Sequence, residues 1–104
     1  NIDLSLNMLE EAYEANPSSY YILDSLAWAH YKKNNLELAA ELMEKVIDMA
    51  PGEAISLDHL GDIYFSLNRK REAVFFWNQA KDLAEPEDNI NKNIIEKLKN
   101  YYEG

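Results

Sequence analysis

The sequence predicts an all-α protein, an α-α superhelix in which antiparallel helix pairs stack side by side. Three observations predict this fold class. The chain repeats itself after 34 residues, its apolar residues recur at helical spacing, and its three Gly and three Pro are too few for an all-β protein. An apolar fraction of 47% in 104 residues is enough for a modest core. We therefore expect one all-α domain over residues 1–104.

The repeat is visible in like-for-like pairs along the chain. Pro17 and Pro51 stand 34 residues apart. The same offset relates Leu23-Asp24 to Leu57-Asp58, Leu26-Ala27 to Leu60-Gly61, Tyr31 to Phe65, Asn34 to Asn68, and Ala39 to Ala73. Agreement at so many positions is not chance, and it indicates a repeat protein. Each unit is predicted to contain a first and a second helix, separated by a short break.

The chain begins with half a unit. Residues 2–15 match only the second helix of the later units, so residues 1–17 are expected to be the remaining helix of a truncated repeat. A start at Asn-Ile-Asp without Met is what we expect of a chain cut from a longer one. The apolar residues of this helix then lack the cover of a first helix, and we expect a second copy to cover them by self-association, as a non-native contact. They are Ile2, Leu4, Met8 and Leu9.

The first complete repeat is predicted over residues 18–51. Its helices are expected at residues 20–33 and 36–50, and Pro51 ends the second of them. The break falls at Asn34, because Asn tolerates the left-handed backbone conformation that is needed just past a helix end.

The second complete repeat, residues 52–86, follows the same order. Its helices are expected at residues 54–67 and 70–84, with a break at Asn68. Residues 87–104 depart from the repeat but keep apolar residues at helical spacing, so a sixth and final helix is predicted. This helix is expected to cap the last repeat, and the alternative is that it docks on a partner.

The arrangement of small, large and aromatic residues resembles the signature of the tetratricopeptide repeat family. The matching residues of the second repeat are Leu57, Leu60, Gly61, Tyr64, Ala73, Trp77 and Ala80. Those of the first repeat are Leu23, Leu26, Ala27, Ala39, Met43 and Pro51. The first repeat departs at His30, where Tyr is usual, and at Val46, where Ala is usual, and Asn34 and Asn68 replace the usual turn Gly. The resemblance covers about residues 1–86. More narrowly, the chain resembles the C-terminal end of longer bacterial arrays of this repeat.

The resemblance implies a protein-interaction module. In this family the first helices line a concave groove in which a partner segment lies. The residues that the packing signature leaves free there are expected to be Tyr21, Asp24, Ser25, Trp28, Tyr31, Asp58, His59, Asp62 and Phe65. Acidic side chains beside aromatic ones suit a partner segment with basic and apolar residues.

Two alternatives remain open, and a third is disfavoured. The aromatic residues Trp28, Tyr31 and Phe65 pack between successive first helices if they are not exposed. The chain is the capped end of a longer scaffold if its binding site lies upstream. A subclass of the family clamps the terminal carboxylate of chaperone peptides with Lys, Arg and Asn, but this chain has Asp or Ser at those places. That subclass is disfavoured.

Enzymatic and metal-dependent functions have little support. The two histidines, His30 and His59, fall on different predicted helices, and neither belongs to a metal-ligand pattern. His59 follows Asp58, but neighbours on one helix point in different directions and cannot form a relay. With no Cys there is no thiolate chemistry. We expect no enzyme, no metal and no cofactor.

The charge distribution argues against nucleic acid. Residues 1–68 carry 12 Asp and Glu against 3 Lys and Arg, and this difference accounts for the whole net charge of −9. The only basic cluster is residues 69–71, whereas phosphate backbones need a basic stripe. No apolar run approaches the roughly 18 residues of a membrane span, so no membrane insertion is expected. A soluble protein of the bacterial cytoplasm or periplasm is the expectation.

Overall fold

Residues 2–104 are the part of the chain that the computed structural model describes; they contain six α-helices and no strand. The helices are α1 (Ile2–Ala15), α2 (Tyr20–Lys32), α3 (Leu36–Met49), α4 (Ala54–Ser66), α5 (Lys70–Leu83) and α6 (Asn89–Glu103). The prediction of an all-α fold with six helices is confirmed.

The chain divides into two compact units. The first ends at Pro51 and holds α1 to α3, and the second comprises Gly52–Gly104 and holds α4 to α6. In the first unit α2 packs against both α1 and α3. In the second unit α5 packs against both α4 and α6. Each unit therefore has a central helix with a neighbour on either side.

The turns after α2 and α4 are made by asparagine. Asn34 and Asn68 have φ angles of 69° and 63°, the left-handed conformation predicted for them. After α2, the Asn34 N–H donates to the Tyr31 carbonyl at 2.9 Å, and the Asn35 N–H donates to the His30 carbonyl at 2.9 Å. These two bonds satisfy carbonyls that the end of a helix leaves without partners. The turn after α4 repeats the same pair of bonds one unit later.

Each unit has its own apolar core. In the first unit Leu23, Met43 and Val46 are fully buried, and in the second Leu60 and Ile63 are. Ile94 of α6 is also fully buried, and Leu98 is 7% exposed. The final helix thus covers α5 with an apolar face, as a cap does.

Ala73→Leu should destabilise the second unit. Ala73 has no exposed surface and lies on α5, which packs between α4 and α6. A larger side chain there must displace neighbours, and such overpacking costs about 1–3 kcal/mol of the free energy of unfolding. Urea denaturation followed by circular dichroism measures the cost. The matched control is Gln79→Leu, because Gln79 is exposed on the same helix. Equal stability of the two variants would contradict the prediction.

Candidate protein-binding surface

The first unit presents a face of α2 that carries aromatic and polar residues. Tyr21, Ser25 and Trp28 follow one another at helical spacing, so they lie on the same side of the helix. Tyr21 is 70% exposed, Ser25 is exposed and Trp28 is half-buried. The Trp28 ring stacks on the Tyr31 ring, with centroids 4.6 Å apart. Asp24, also half-buried, belongs to the same face. The aromatic pair therefore combines packing with partial exposure.

The second unit has a charged cluster where α6 meets the surface of α4. The Lys97 ammonium donates to Asp58 Oδ1 at 2.9 Å and lies 2.9 Å from Asp62 Oδ1. The side chain of Asp58 is 12% exposed, that of Asp62 is 21% exposed and that of Lys97 is 31% exposed. These three residues are called the Lys97 cluster below. With all three groups ionised, the cluster carries one net negative charge.

The Lys97 cluster corrects one expectation from the sequence. Asp58 and Asp62 were expected to be left free by the packing, but Asp58 is buried and both carboxylates bind Lys97. The physical reason is that α6 departs from the 34-residue repeat. Its side chains therefore had no register from which their position over α4 could be predicted.

Trp77 of α5 connects the cluster to the core of the second unit. Its indole N–H donates to Asp62 Oδ1 at 3.1 Å, and Lys97 Nζ lies 5.7 Å from its ring centroid. The indole packs directly over Gly61, where an added Cβ would lie only 2.3 Å from the ring. The absence of a side chain at Gly61 thus lets Trp77 approach α4 closely enough to bind Asp62.

The pKa values of the cluster reflect burial and pairing. Burial raises the pKa of Asp62 above its ordinary value, and the hydrogen bond and charge of Lys97 offset this only in part. For Lys97, burial by itself lowers the pKa, but hydrogen bonds from its ammonium to Asp58 and Asp62 outweigh that effect and raise it. Lys97 is therefore firmly protonated at neutral pH.

Phe65 and His59 complete the surface of α4. Phe65 is 38% exposed, and its ring lies 5.4 Å from the Trp77 ring in a tilted arrangement. The Lys70 ammonium lies 5.3 Å from the centroid of the Phe65 ring. His59 is half-buried. The α4 surface therefore combines an exposed aromatic ring with a net acidic cluster.

Two other features of the sequence have structural roles. Arg69 donates hydrogen bonds through Nε and Nη2 to the Glu72 carboxylate, and its guanidinium lies 4.4 Å from the Tyr64 ring centroid. His30 is buried, with Asn35 Nδ2 at 3.2 Å from its Nδ1 and Glu10 at 3.8 Å from its Nε2. Both side chains thus stabilise turns and helix contacts within their own unit.

Neither a metal site nor a membrane span is found in the described part of the chain. Residues 2–104 contain no group of three or more His, Asp or Glu placed to hold a metal ion. None of the six helices is long and apolar enough to cross a membrane.

Comparison with known proteins gives a family and several similar solved structures. The sequence profile of the tetratricopeptide repeat matches residues 1–54 and 25–85. The structure is similar to the first TPR of Spaghetti (RPAP3) bound to the HSP90 peptide SRMEEVD, with a TM-score of 0.84, 16% identity, and coverage of 99% of this chain and 81% of that chain. The Arabidopsis OM64 TPR domain gives a TM-score of 0.83 and 20% identity, covering 96% of this chain and 82% of that chain.

A third similarity is to a longer chain. The protein MamA (41-end) from Desulfovibrio magneticus RS-1 matches with a TM-score of 0.76 and 25% identity, covering 85% of this chain and 50% of that chain. For MamA MSR-1 the coverage of that chain is 47%. This chain therefore spans about half the length of these two MamA chains.

Proposed function

We propose that this chain, which belongs to the tetratricopeptide repeat family, binds a segment of another protein that carries basic and apolar side chains. Membership of the family supports a role as a protein-interaction module. The finer proposal concerns the chemistry of the partner segment and the residues that contact it.

The observation that carries the proposal is the Lys97 cluster beside an exposed aromatic ring on α4. Two carboxylates share a single ammonium there, so one negative charge is left for a cation from outside. Phe65 offers a partly exposed ring for an apolar side chain of the same segment. His59, on the same helix, adds a polar group. A segment with Lys or Arg next to apolar residues satisfies both features of this surface.

The α2 face is proposed as a contact surface in its own right. It presents an exposed Tyr21 and Ser25, the half-buried Asp24, and the stacked rings of Trp28 and Tyr31. Partly exposed aromatic rings and a nearby carboxylate suit the same chemical class of segment as the α4 surface. The first unit also contributes to the acidic character of the chain.

The charge of the surface argues against an acidic ligand. The HSP90 peptide bound to Spaghetti, SRMEEVD, contains three acidic residues and one basic residue. In this chain Lys97 is already neutralised by two carboxylates, so it offers no net positive charge to such a peptide. The class of peptide that this chain binds is therefore proposed to be of opposite charge.

A peptide array tests the proposal. Peptides of equal length and equal apolar content, but of net charge from negative to positive, are probed with the labelled chain. We expect binding to rise with positive charge and to weaken when salt is raised from about 50 to 500 mM, which shortens the screening length from roughly 14 to 4 Å. Preferential binding of acidic peptides would contradict the proposal. Binding to none of them would support the scaffold alternative instead.

Phe65→Ala is the variant that connects such binding to α4. We expect affinity for the best basic peptide to fall about tenfold, which is roughly 1.4 kcal/mol. Phe75→Ala is the matched control, because Phe75 is 56% exposed but lies on α5. Both variants are checked by thermal melting, so that lost folding is not mistaken for lost binding. An equal loss of affinity in both variants would remove Phe65 from the site.

A further inference from the structure

The buried face of α6 carries the same chemistry as the partner segment proposed above. Ile94 is fully buried and Leu98 is 7% exposed, and the two side chains lie one helical turn apart. Lys97 comes three residues after Ile94, so it borders this apolar face on the side of α4. A basic side chain next to apolar ones is therefore supplied to the second unit by the chain itself.

The Lys97 ammonium lies where the cation of a partner segment is expected to bind. It donates to both acids of the cluster, at 2.9 Å from Asp58 Oδ1 and 3.2 Å from Asp62 Oδ2. Asp58, Asp62 and Phe65 follow one another at helical spacing, so the carboxylates and the exposed ring share one side of α4. A segment that contacts Phe65 thus lies beside the two carboxylates, and Lys97 already neutralises one of their two charges.

The seating of α6 does not depend on this ammonium alone. Ile94 and Leu98 are buried and α6 packs against α5, whereas the Lys97 side chain is 31% exposed. A long, flexible side chain at the border of a buried face can turn into water while the apolar residues beside it stay in place. The Lys97 ammonium can therefore leave Asp58 and Asp62 while α6 remains docked.

We propose that Lys97 is an intramolecular competitor of the partner, and that a basic side chain of the partner displaces its ammonium from Asp58 and Asp62. This inference rests on the proposed function, because it concerns the same surface of α4. The two ionised acids and Lys97 together carry a net charge of −1, and the acids alone carry −2 once Lys97 is released. Lys97 therefore lowers the affinity of the surface for basic segments.

Substitution of Lys97 separates competition from a purely structural role. The best basic peptide of the array is titrated into the unmodified chain, Lys97→Met and Lys99→Met at about pH 8, where carboxyl groups are ordinarily ionised. Lys99→Met is the matched control, because it removes the same charge from an exposed position of the same helix. We expect Lys97→Met to bind about tenfold more tightly than the unmodified chain, and Lys99→Met to change affinity little.

Changes in the peptide show whether the gain of affinity arises at the cluster. Each basic residue of the peptide is replaced in turn by Gln, and one of these replacements should abolish the gain seen with Lys97→Met. A loosened α6 would instead expose apolar surface and raise the affinity for every peptide by the same factor, which would overturn the proposal. Thermal melts give the folded fraction of each variant, so that affinity is compared per folded molecule.

The unmodified chain gives a second readout that needs no variant. The methylene signals beside the Lys97 ammonium are followed by NMR during the same titration, and they should move toward those of the exposed Lys99. Unmoved Lys97 signals with shifted α4 signals would overturn the proposal, as would equal affinity of Lys97→Met and the unmodified chain. In both cases the proposed function stands. Binding of no peptide by any of the three proteins would contradict the proposed function, and this inference with it.

Discussion

The Gly61→Ala variant should unfold with a free energy about 1–3 kcal/mol lower than that of the unmodified chain. The expected sign is opposite to that of an exposed helical glycine, where Ala is better by roughly 1 kcal/mol. The reason is the Trp77 indole, since a Cβ on residue 61 would lie 2.3 Å from Cδ1 and 2.4 Å from Nε1 of that ring. Real side chains do not approach so closely, so the indole has to move.

Movement of the indole has further costs. Trp77 is 4% exposed, its N–H donates to Asp62, and its ring lies against Phe65. A shift that accommodates a methyl group weakens the hydrogen bond and opens space in the core. For a domain of this size, a loss of 1 kcal/mol lowers the melting temperature by roughly 4–8 °C, so a thermal melt resolves the effect.

Two controls accompany the Gly61→Ala variant. Gly52→Ala should change stability little, because nothing lies within 4 Å of a Cβ at Gly52 and its φ angle is not positive. Trp77→Met should reduce the cost of Gly61→Ala, because the first repeat has Ala27 and Met43 at the corresponding positions. Two results would contradict the packing described for α4 and α5. One is a gain of stability in Gly61→Ala, and the other is a cost of Gly61→Ala that is the same in the Trp77→Met background as in the unmodified chain.

Lys97→Met should lower the free energy of unfolding by about 2 kcal/mol at neutral pH. Removal of one partner from a fully buried ion pair costs more, roughly 3–5 kcal/mol. The substitution keeps the length of the side chain but leaves Asp58 and Asp62 without their shared cation. The loss is smaller than for a fully buried pair because the Lys97 side chain is 31% exposed and water screens part of the interaction.

The loss of free energy of unfolding in the Lys97→Met variant, called its deficit below, should depend on pH. Burial holds the pKa of Asp62 above its unfolded value, and Lys97 opposes that rise, so its removal raises this pKa further. A carboxyl group whose pKa is raised in the folded state binds its proton at a higher pH when the chain is folded than when it is unfolded. Acid therefore favours the folded state. The deficit should therefore shrink as the pH falls from neutral through the raised pKa.

At alkaline pH the deficit should shrink as well. The folded state raises the pKa of Lys97 above 10.5, so its stabilising contribution is complete below that value and is lost as the pH rises through the folded pKa. Lys99→Met, at an exposed lysine of the same helix, is the control and should show neither effect. A Lys97→Met deficit that is constant with pH would mean that packing, not charge, accounts for it.

The helices were predictable because their signals are local and repeated. Asn34 and Asn68 indicate two breaks, because Asn tolerates the left-handed backbone conformation. Pro51 and Pro86 stand just past two helix ends. The same 34-residue offset predicted small residues at Gly61 and a large one at Trp77. Six helices therefore follow from spacing alone, without knowledge of any contact between them.

The Lys97 cluster was not predictable in the same way. Its acids stand on a helix that obeys the repeat, but its cation stands on α6, which does not. The sequence placed apolar residues of α6 against the last repeat, yet the position of Lys97 over Asp58 depends on how α6 lies on its neighbours. The exposure of Trp28, Tyr31 and Phe65 likewise depends on distances between helices, and residue spacing does not contain those distances.

Mapping of a bound peptide by NMR tests the central claim most directly. The isotopically labelled chain is titrated with the best basic and apolar peptide of the array, and changes in the backbone amide signals are assigned to residues. The proposed binding predicts that the largest changes fall on α4 near Asp58, Asp62 and Phe65, and that the α2 face around Tyr21 and Trp28 changes as a contact surface of its own. Changes confined to exposed residues of α3 and α5, with the α4 signals unmoved, would contradict it.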